Sequence, residues 1–277
     1  MCRLPCAGLS PSDCVASWQS IDPRRPDQVP LRCWWARPAD GPPRAGVLVL
    51  PEVFGLNGWI RGVTERLAAA GYAALAVPLF ARTAPDLELD YGPDALALGR
   101  SHKERTRTDQ LLADVGLAAD WLQEQLPPEA AAPGLGCVGF CFGGHVALLA
   151  ASLPAVAATV DFYGAGVASG RPGGGPPSLE LVPTIGGTLL CICGKEDPLI
   201  PAADVAAIET ALAAANAAGS AATPAGRLHR LVVLEGGHGF MCAARSDYHP
   251  ASAAAGWSLL LDTFERQLGP ETHLAGG

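Results

Sequence analysis

An α/β fold, with a mainly parallel central sheet and helices on both faces, is predicted by three features of the sequence. Apolar runs of strand length recur along the chain, amphipathic stretches of helical period separate them, and Gly or Pro bounds most of them. Strands buried on both faces read as unbroken aliphatic runs rather than alternating ones, which is how Gly46-Val-Leu-Val-Leu50 reads. Regular structure is expected to begin in earnest there. Residues 1–30, rich in Pro, Ser and Arg and without period, are expected to be an irregular extension, and residues 31–270 a single domain.

The elements follow in order. Trp59 to Ala70 sets Ile60, Val63, Leu67 and Ala70 on one helical face and ends on Gly71, which suits a left-handed C′ position. Ala73 to Val77 is a strand stopped by Pro78, and 81–103 is polar and irregular. Thr108 to Gln125 is a second amphipathic helix, through Leu111, Leu112, Val115, Ala118, Ala119 and Leu122, halted by Pro127-Pro128. Strands are expected at 135–138, 156–162, 188–193 and 228–234. Helices are expected at 143–153, 201–218 and 251–268, with a loop-rich stretch at 164–187. No internal repeat is visible, and no linker is long enough to require two domains.

Composition narrows the function. The 277 residues are 49% hydrophobic and carry a formal net charge of −8, with no basic face, which argues against nucleic acid or an anionic membrane as partner. No run reaches the ~20 apolar residues of a membrane span. Met1 to Ser20 holds one Arg and is broken by Pro5, Pro11 and Asp13, unlike a secretory signal, so a cytoplasmic address is expected. The nine Cys are odd in number, and a chain of this size needs no disulfide staples. Cys191 and Cys193 lie in a buried-strand run. Their Cys-x-Cys has no second Cys/His pair at ligand spacing, so neither a metal nor another cofactor is expected.

The chemistry concentrates at Gly139-Phe-Cys-Phe-Gly143, between a buried strand and an apolar helix. A turn this tight leaves no room for side chains two positions either side of Cys141, which it holds exposed on a strained backbone. Free N–H groups at the helix start favour a thiolate, and the Phe142 amide is aimed at a developing oxyanion. Asp197 and His238 each stand just past the end of a later predicted strand. Nucleophile, acid and His in that chain order is the arrangement of the α/β-hydrolase fold. His238 would exchange the proton with thiol and leaving group, and Asp197 would fix its tautomer. Glu196 is the rival acid. A non-catalytic binding or regulatory protein on the same scaffold is the alternative reading, and a redox pair of Cys137 with Cys141 is a third.

Five segments, Leu50-Pro-Glu-Val-Phe-Gly-Leu-Asn57, Pro78-Leu-Phe-Ala-Arg82, Gly139-Phe-Cys-Phe-Gly-Gly144, Gly194-Lys-Glu-Asp197 and Gly237-His-Gly-Phe240, resemble the dienelactone hydrolase family. The resemblance runs over about residues 45 to 268. It implies a Cys-His-Asp enzyme that opens a small ester or lactone, carboxylate-bearing ones included, through an acyl-thioester. It further implies Glu52 as the partner of the resting thiol, Val53 as the second oxyanion amide and Arg82 as a substrate-carboxylate ligand. Arg245 lies seven residues past His238, whereas the family's second carboxylate-binding Arg follows its His more closely, so Arg245 or Tyr248 is expected to contribute there. Tyr163, at a strand end, is expected to line the pocket. A monomer or small homo-oligomer is expected.

Overall fold

The computed structural model describes residues 13–218 and 228–269. Its elements run β1 (Cys14–Ile21), β2 (Leu31–Pro38), β3 (Gly46–Leu50), α1 (Gly58–Ala69), β4 (Ala73–Ala76), α2 (Pro93–Lys103), α3 (Thr108–Glu124) and α4 (Pro128–Ala131). They continue with β5 (Leu135–Phe140), α5 (Phe142–Ala150), β6 (Val156–Phe162), a 3₁₀ segment Ser178–Thr184, β7 (Thr188–Gly194), α6 (Ala202–Ala217), β8 (Arg230–Leu234) and α7 (Pro250–Leu268). The strands form one sheet in the order β1-β2-β4-β3-β5-β6-β7-β8, parallel from β4 through β8. Antiparallel β2 and β1 complete one edge.

The predicted two-sided core is present. Along β3, Val47 and Val49 join α1 and α7 in one apolar cluster, while Leu48 and Leu50 join α3 in the other. That is the period-two alternation of a strand covered on both faces. Ile60, Val63 and Leu67 of α1 are buried, and Gly71 takes a φ of 98°, as its place after the helix requires. Every residue of α5 is buried, which its sequence Phe-Gly-Gly-His-Val-Ala-Leu-Leu-Ala foreshadows by being apolar all round.

The expected irregular extension is corrected in part. Residues 14–21 form β1, paired along its length with β2; residues 1–12 and 270 lie outside the described residues. β1 is an edge strand whose exposure alternates, so it shows no apolar run. It is secured across the ladder by Trp18 and Trp34, which are register partners with ring centroids 5.1 Å apart. The Arg32 guanidinium lies 3.7 Å from the Trp18 centroid. The stretch 81–103 is not wholly irregular either, because α2 starts with Pro93 in its first turn. α2 buries only Gly99, so it carries no apolar stripe for a periodicity argument to find. Its Gly is forced by packing: a Cβ at 99 would overlap the Val53 carbonyl.

Among the described residues, no helix is long and apolar enough to cross a membrane. All seven described cysteines are free thiols. Among the same residues, no three His, Cys, Asp or Glu side chains cluster as metal ligands.

Candidate active site

The site is assembled on the carboxyl rim of the sheet, where side chains that follow β3, β5, β7 and β8 meet. Cys141 occupies the turn from β5 to α5 with φ 55° and ψ −118°, a conformation rare for a side-chain-bearing residue. The strain is held in place by its surroundings. The Cys141 amide donates to the Phe162 carbonyl at 3.0 Å, and the Cys141 carbonyl accepts from the His145 amide at 3.2 Å. A Cβ on Gly139 would overlap the Gly143 carbonyl, and one on Gly143 would overlap the Leu50 carbonyl. The paired glycines are therefore a steric requirement of the turn, as their spacing suggests.

His238 is buried, and its Nδ1 is 2.8 Å from Oδ2 of Asp197. The other carboxylate oxygen of Asp197 accepts from the Leu199 amide at 2.8 Å. The rival Glu196 is exposed and turns to the Gly236 amide. With Nδ1 committed, Nε2 is the nitrogen left to Cys141, and it has no hydrogen-bond partner among the described residues. Burial lowers the pKa of the imidazole, but charge on Cys141 together with Asp197 outweighs it and holds the imidazolium above its ordinary range.

Glu52, just past β3, is almost fully buried. Its Oε1 accepts from Arg245 Nη1 at 2.8 Å and its Oε2 from the Tyr91 hydroxyl at 2.9 Å. Burial pushes its pKa up, against the opposing pull of Arg245 and Tyr91. The resemblance implies a Glu that holds the thiol. In this conformation both oxygens are instead taken by a guanidinium and a phenol, stronger donors than a thiol, and Cys141 is left to His238. Arg245 thus reaches the rim despite its seven-residue spacing, because Gly239 with φ 95° lets the chain fold back under the Arg245 side chain. Tyr248, the other residue expected near substrate, is exposed at the mouth of a separate cavity beside Trp59 and Trp257.

Tyr163 is wholly buried with φ 44°, its ring 5.3 Å from that of His238. Its hydroxyl has no hydrogen-bond partner among the described residues. The Val53 and Phe142 amides donate to no protein acceptor among the described residues, which leaves both open to a ligand. Arg82 differs from expectation. Its Nε and Nη2 form a two-pronged ion pair with Asp114 of α3, both at 2.8 Å, and Nη2 also reaches the Asp27 carbonyl. No contact joins it to Cys141, His238 or Glu52. A buried carboxylate in fork geometry is simply the best partner a guanidinium can have.

Tyr91 is the site residue that sequence reasoning missed. It stands in Asp90-Tyr-Gly-Pro93 immediately before α2, inside the stretch read as irregular. Cys137, the proposed redox partner, is buried in β5, its thiol pushed up by burial.

This fold, with Cys141 on a strained strand-to-helix elbow followed along the chain by Asp197 and then His238, is that of an α/β-hydrolase. The comparisons narrow the class. The description "Dienelactone hydrolase family" matches residues 31–268. A Synechocystis sp. protein named as a carboxymethylenebutenolidase is 38% identical over 223 residues, covering 80% of this chain and 86% of that protein. A Bradyrhizobium sp. protein named as a 2-oxo-3-(5-oxofuran-2-ylidene)propanoate lactonase is 29% identical over 80% of this chain and 84% of its own length. The crystal structure of a Klebsiella pneumoniae protein described as a dienelactone hydrolase superposes with a TM-score of 0.76 at 28% identity, covering 91% of this chain and 99% of that one. The chain belongs to the dienelactone hydrolase family, a family of hydrolases.

Proposed function

We propose that the protein hydrolyses a small ester or lactone by thiol catalysis, in the manner of a carboxymethylenebutenolidase. The observation that carries the reading is the Asp197 carboxylate bonded to a buried His238 whose Nε2, with no hydrogen-bond partner among the described residues, is left to act on Cys141 at the strained elbow. The Cys141 thiolate adds to the carbonyl carbon, and the oxyanion lies against the Val53 and Phe142 amides. His238 gives its Nε2 proton to the departing alkoxide or enolate oxygen, leaving an acyl-thioester on Sγ. It then takes a proton from water, which attacks the thioester, and Cys141 leaves as thiolate. In a lactone the two products remain one molecule, a hydroxy or oxo acid.

Glu52 would meet the thiol, as the resemblance implies, only on release from Arg245 and Tyr91, which hold both its oxygens here. The lactone named for the Bradyrhizobium relative carries a carboxylate, which favours an anionic substrate for this chain also. The unpaired thiols and the dependence on a reduced Cys141 favour a cytoplasmic enzyme.

The test is turnover of para-nitrophenyl acetate, with mass spectrometry of the enzyme quenched during the reaction. The wild type should hydrolyse the ester and show an acetyl adduct on the Cys141 peptide. Cys141→Ala should do neither, and undiminished turnover by that variant would assign the nucleophile elsewhere.

A further inference from the structure

Beside the elbow lies a second built feature, a cavity of about 270 Å³ at the amino-terminal end of α5. Phe142 and His145 form its floor, Lys103 at the end of α2 one wall, and the loop from Ala165 to Gly173 the other. The walls are fixed by hydrogen bonds. His145 Nδ1 donates to the Ala165 carbonyl at 3.0 Å, and its Nε2 accepts from the Ser178 hydroxyl at 2.7 Å. The Thr108 amide and hydroxyl both donate to the Pro172 carbonyl at 2.9 Å. Burial lowers the pKa of His145 to about 4, so the clasp is a neutral imidazole that adds no charge to the cavity.

The cavity's charge comes from its walls. Lys103 Nζ is 5.6 Å from the Phe142 ring centroid and forms no ion pair among the described residues. Arg171 spends Nε and Nη2 on the carbonyls of Pro176 and Pro177, so its charge meets no carboxylate. Glu104 also lines the cavity; it is exposed and pairs with neither. Two cations against one solvated acid leave the cavity positive. The arginines that the resemblance offers for a substrate carboxylate are both neutralised, Arg82 by Asp114 and Arg245 by Glu52.

We infer that this cavity is the subsite for the anionic end of the substrate, with Lys103 as its principal cation, a reading that rests on the esterase function proposed above. Geometry supports it. The His145 amide bonds to the Cys141 carbonyl, so the cavity floor lies one helical turn, about 5 Å, from the nucleophile residue. On this assignment a short dicarboxylate chain, with its carboxylate beside Lys103, passes Phe142 to bring its ester carbonyl to Cys141. The Phe142 ring, stacked 5.8 Å from Phe80, forms the apolar partition against which that chain lies.

Two measurements on the full chain test this. The first compares kcat/KM for the mono-para-nitrophenyl ester of glutaric acid with that for para-nitrophenyl butyrate. In Lys103→Gln the ratio should fall about 10-fold relative to wild type, and Lys103→Arg should restore most of it. An unchanged ratio, or an equal fall in Lys103→Arg, would overturn the assignment. The second is titration of free glutarate into Cys141→Ala by calorimetry, with and without Lys103→Gln. Weakening of about 10-fold supports the subsite, while equal affinity or no binding to either overturns it. If the wild type hydrolyses neither ester, the esterase reading fails, and the glutarate titration still decides the subsite.

Discussion

Replacing Arg245 by Met isolates the buried ion pair that ties Glu52 down. The guanidinium stands 2.8 Å from a carboxylate with 1% of its side chain exposed. At an effective dielectric of about 20, that contact is worth roughly 4–6 kcal/mol of Coulomb attraction. Removing one partner strands the other charge, which costs about 3–5 kcal/mol, and the Tyr91 bond to Oε2 recovers about 1 kcal/mol of it at most. The pH dependence has a defined sign. Without Arg245, the already raised pKa of Glu52 rises further. A carboxyl that holds its proton more tightly folded than unfolded is most stabilising below the unfolded pKa, near 4.5, and loses that contribution as pH rises toward the folded value. Urea melts should therefore show Arg245→Met about 3 kcal/mol below wild type at pH 8, the gap closing toward pH 5. Adding Glu52→Gln should restore most of the loss, because a neutral amide can accept from Tyr91 without a countercharge. A loss under 1 kcal/mol, or a double variant no more stable than the single one, would refute the reasoning.

Two further outcomes are expected. In Gly99→Ala, the new methyl must displace the Val53 carbonyl and with it the Val53 amide proposed above as an oxyanion donor. The expected result is a fall in kcat of about 10- to 100-fold on para-nitrophenyl acetate, out of proportion to a stability loss of about 1–3 kcal/mol; unchanged kcat would remove Val53 from the oxyanion site. His145 is neutral in the fold, with a pKa lowered to about 4 from 6.5, so its contribution is complete above about pH 6.5 and is lost as pH falls toward 4. Urea melts across that window should show wild type losing about 3 kcal/mol more than His145→Gln. Parallel curves would show that the clasp tolerates the imidazolium.

The placement of Cys141, Asp197 and His238 was legible because each is announced locally. Cys141, Asp197 and His238 all follow apolar runs that could only be buried strands, and parallel strands send such residues to one rim. Tyr91 was not legible, since its meaning lies in a bond to Glu52 across 39 residues and its own neighbourhood carries no period. Arg82 shows the limit of resemblance: the position matches, but Asp114, a helix residue with no motif around it, decides where the guanidinium goes. β1 escaped notice for a third reason, because an edge strand with a half-solvated face has no need of an apolar run.

The strap between Glu52 and Arg245 joins residues 193 positions apart, and the imidazole follows the thiol by most of a hundred. A chain emerging from the ribosome therefore presents Cys141 long before it presents His238 or Arg245. Until the last strand and α7 dock, that cysteine is an ordinary thiol, no more nucleophilic than its neighbours on the unfolded chain. Under the thiol mechanism proposed above, acquisition of reactivity is then itself a report of completed folding. A thiol-labelling rate followed during refolding would show its fast phase only when the whole sheet has closed.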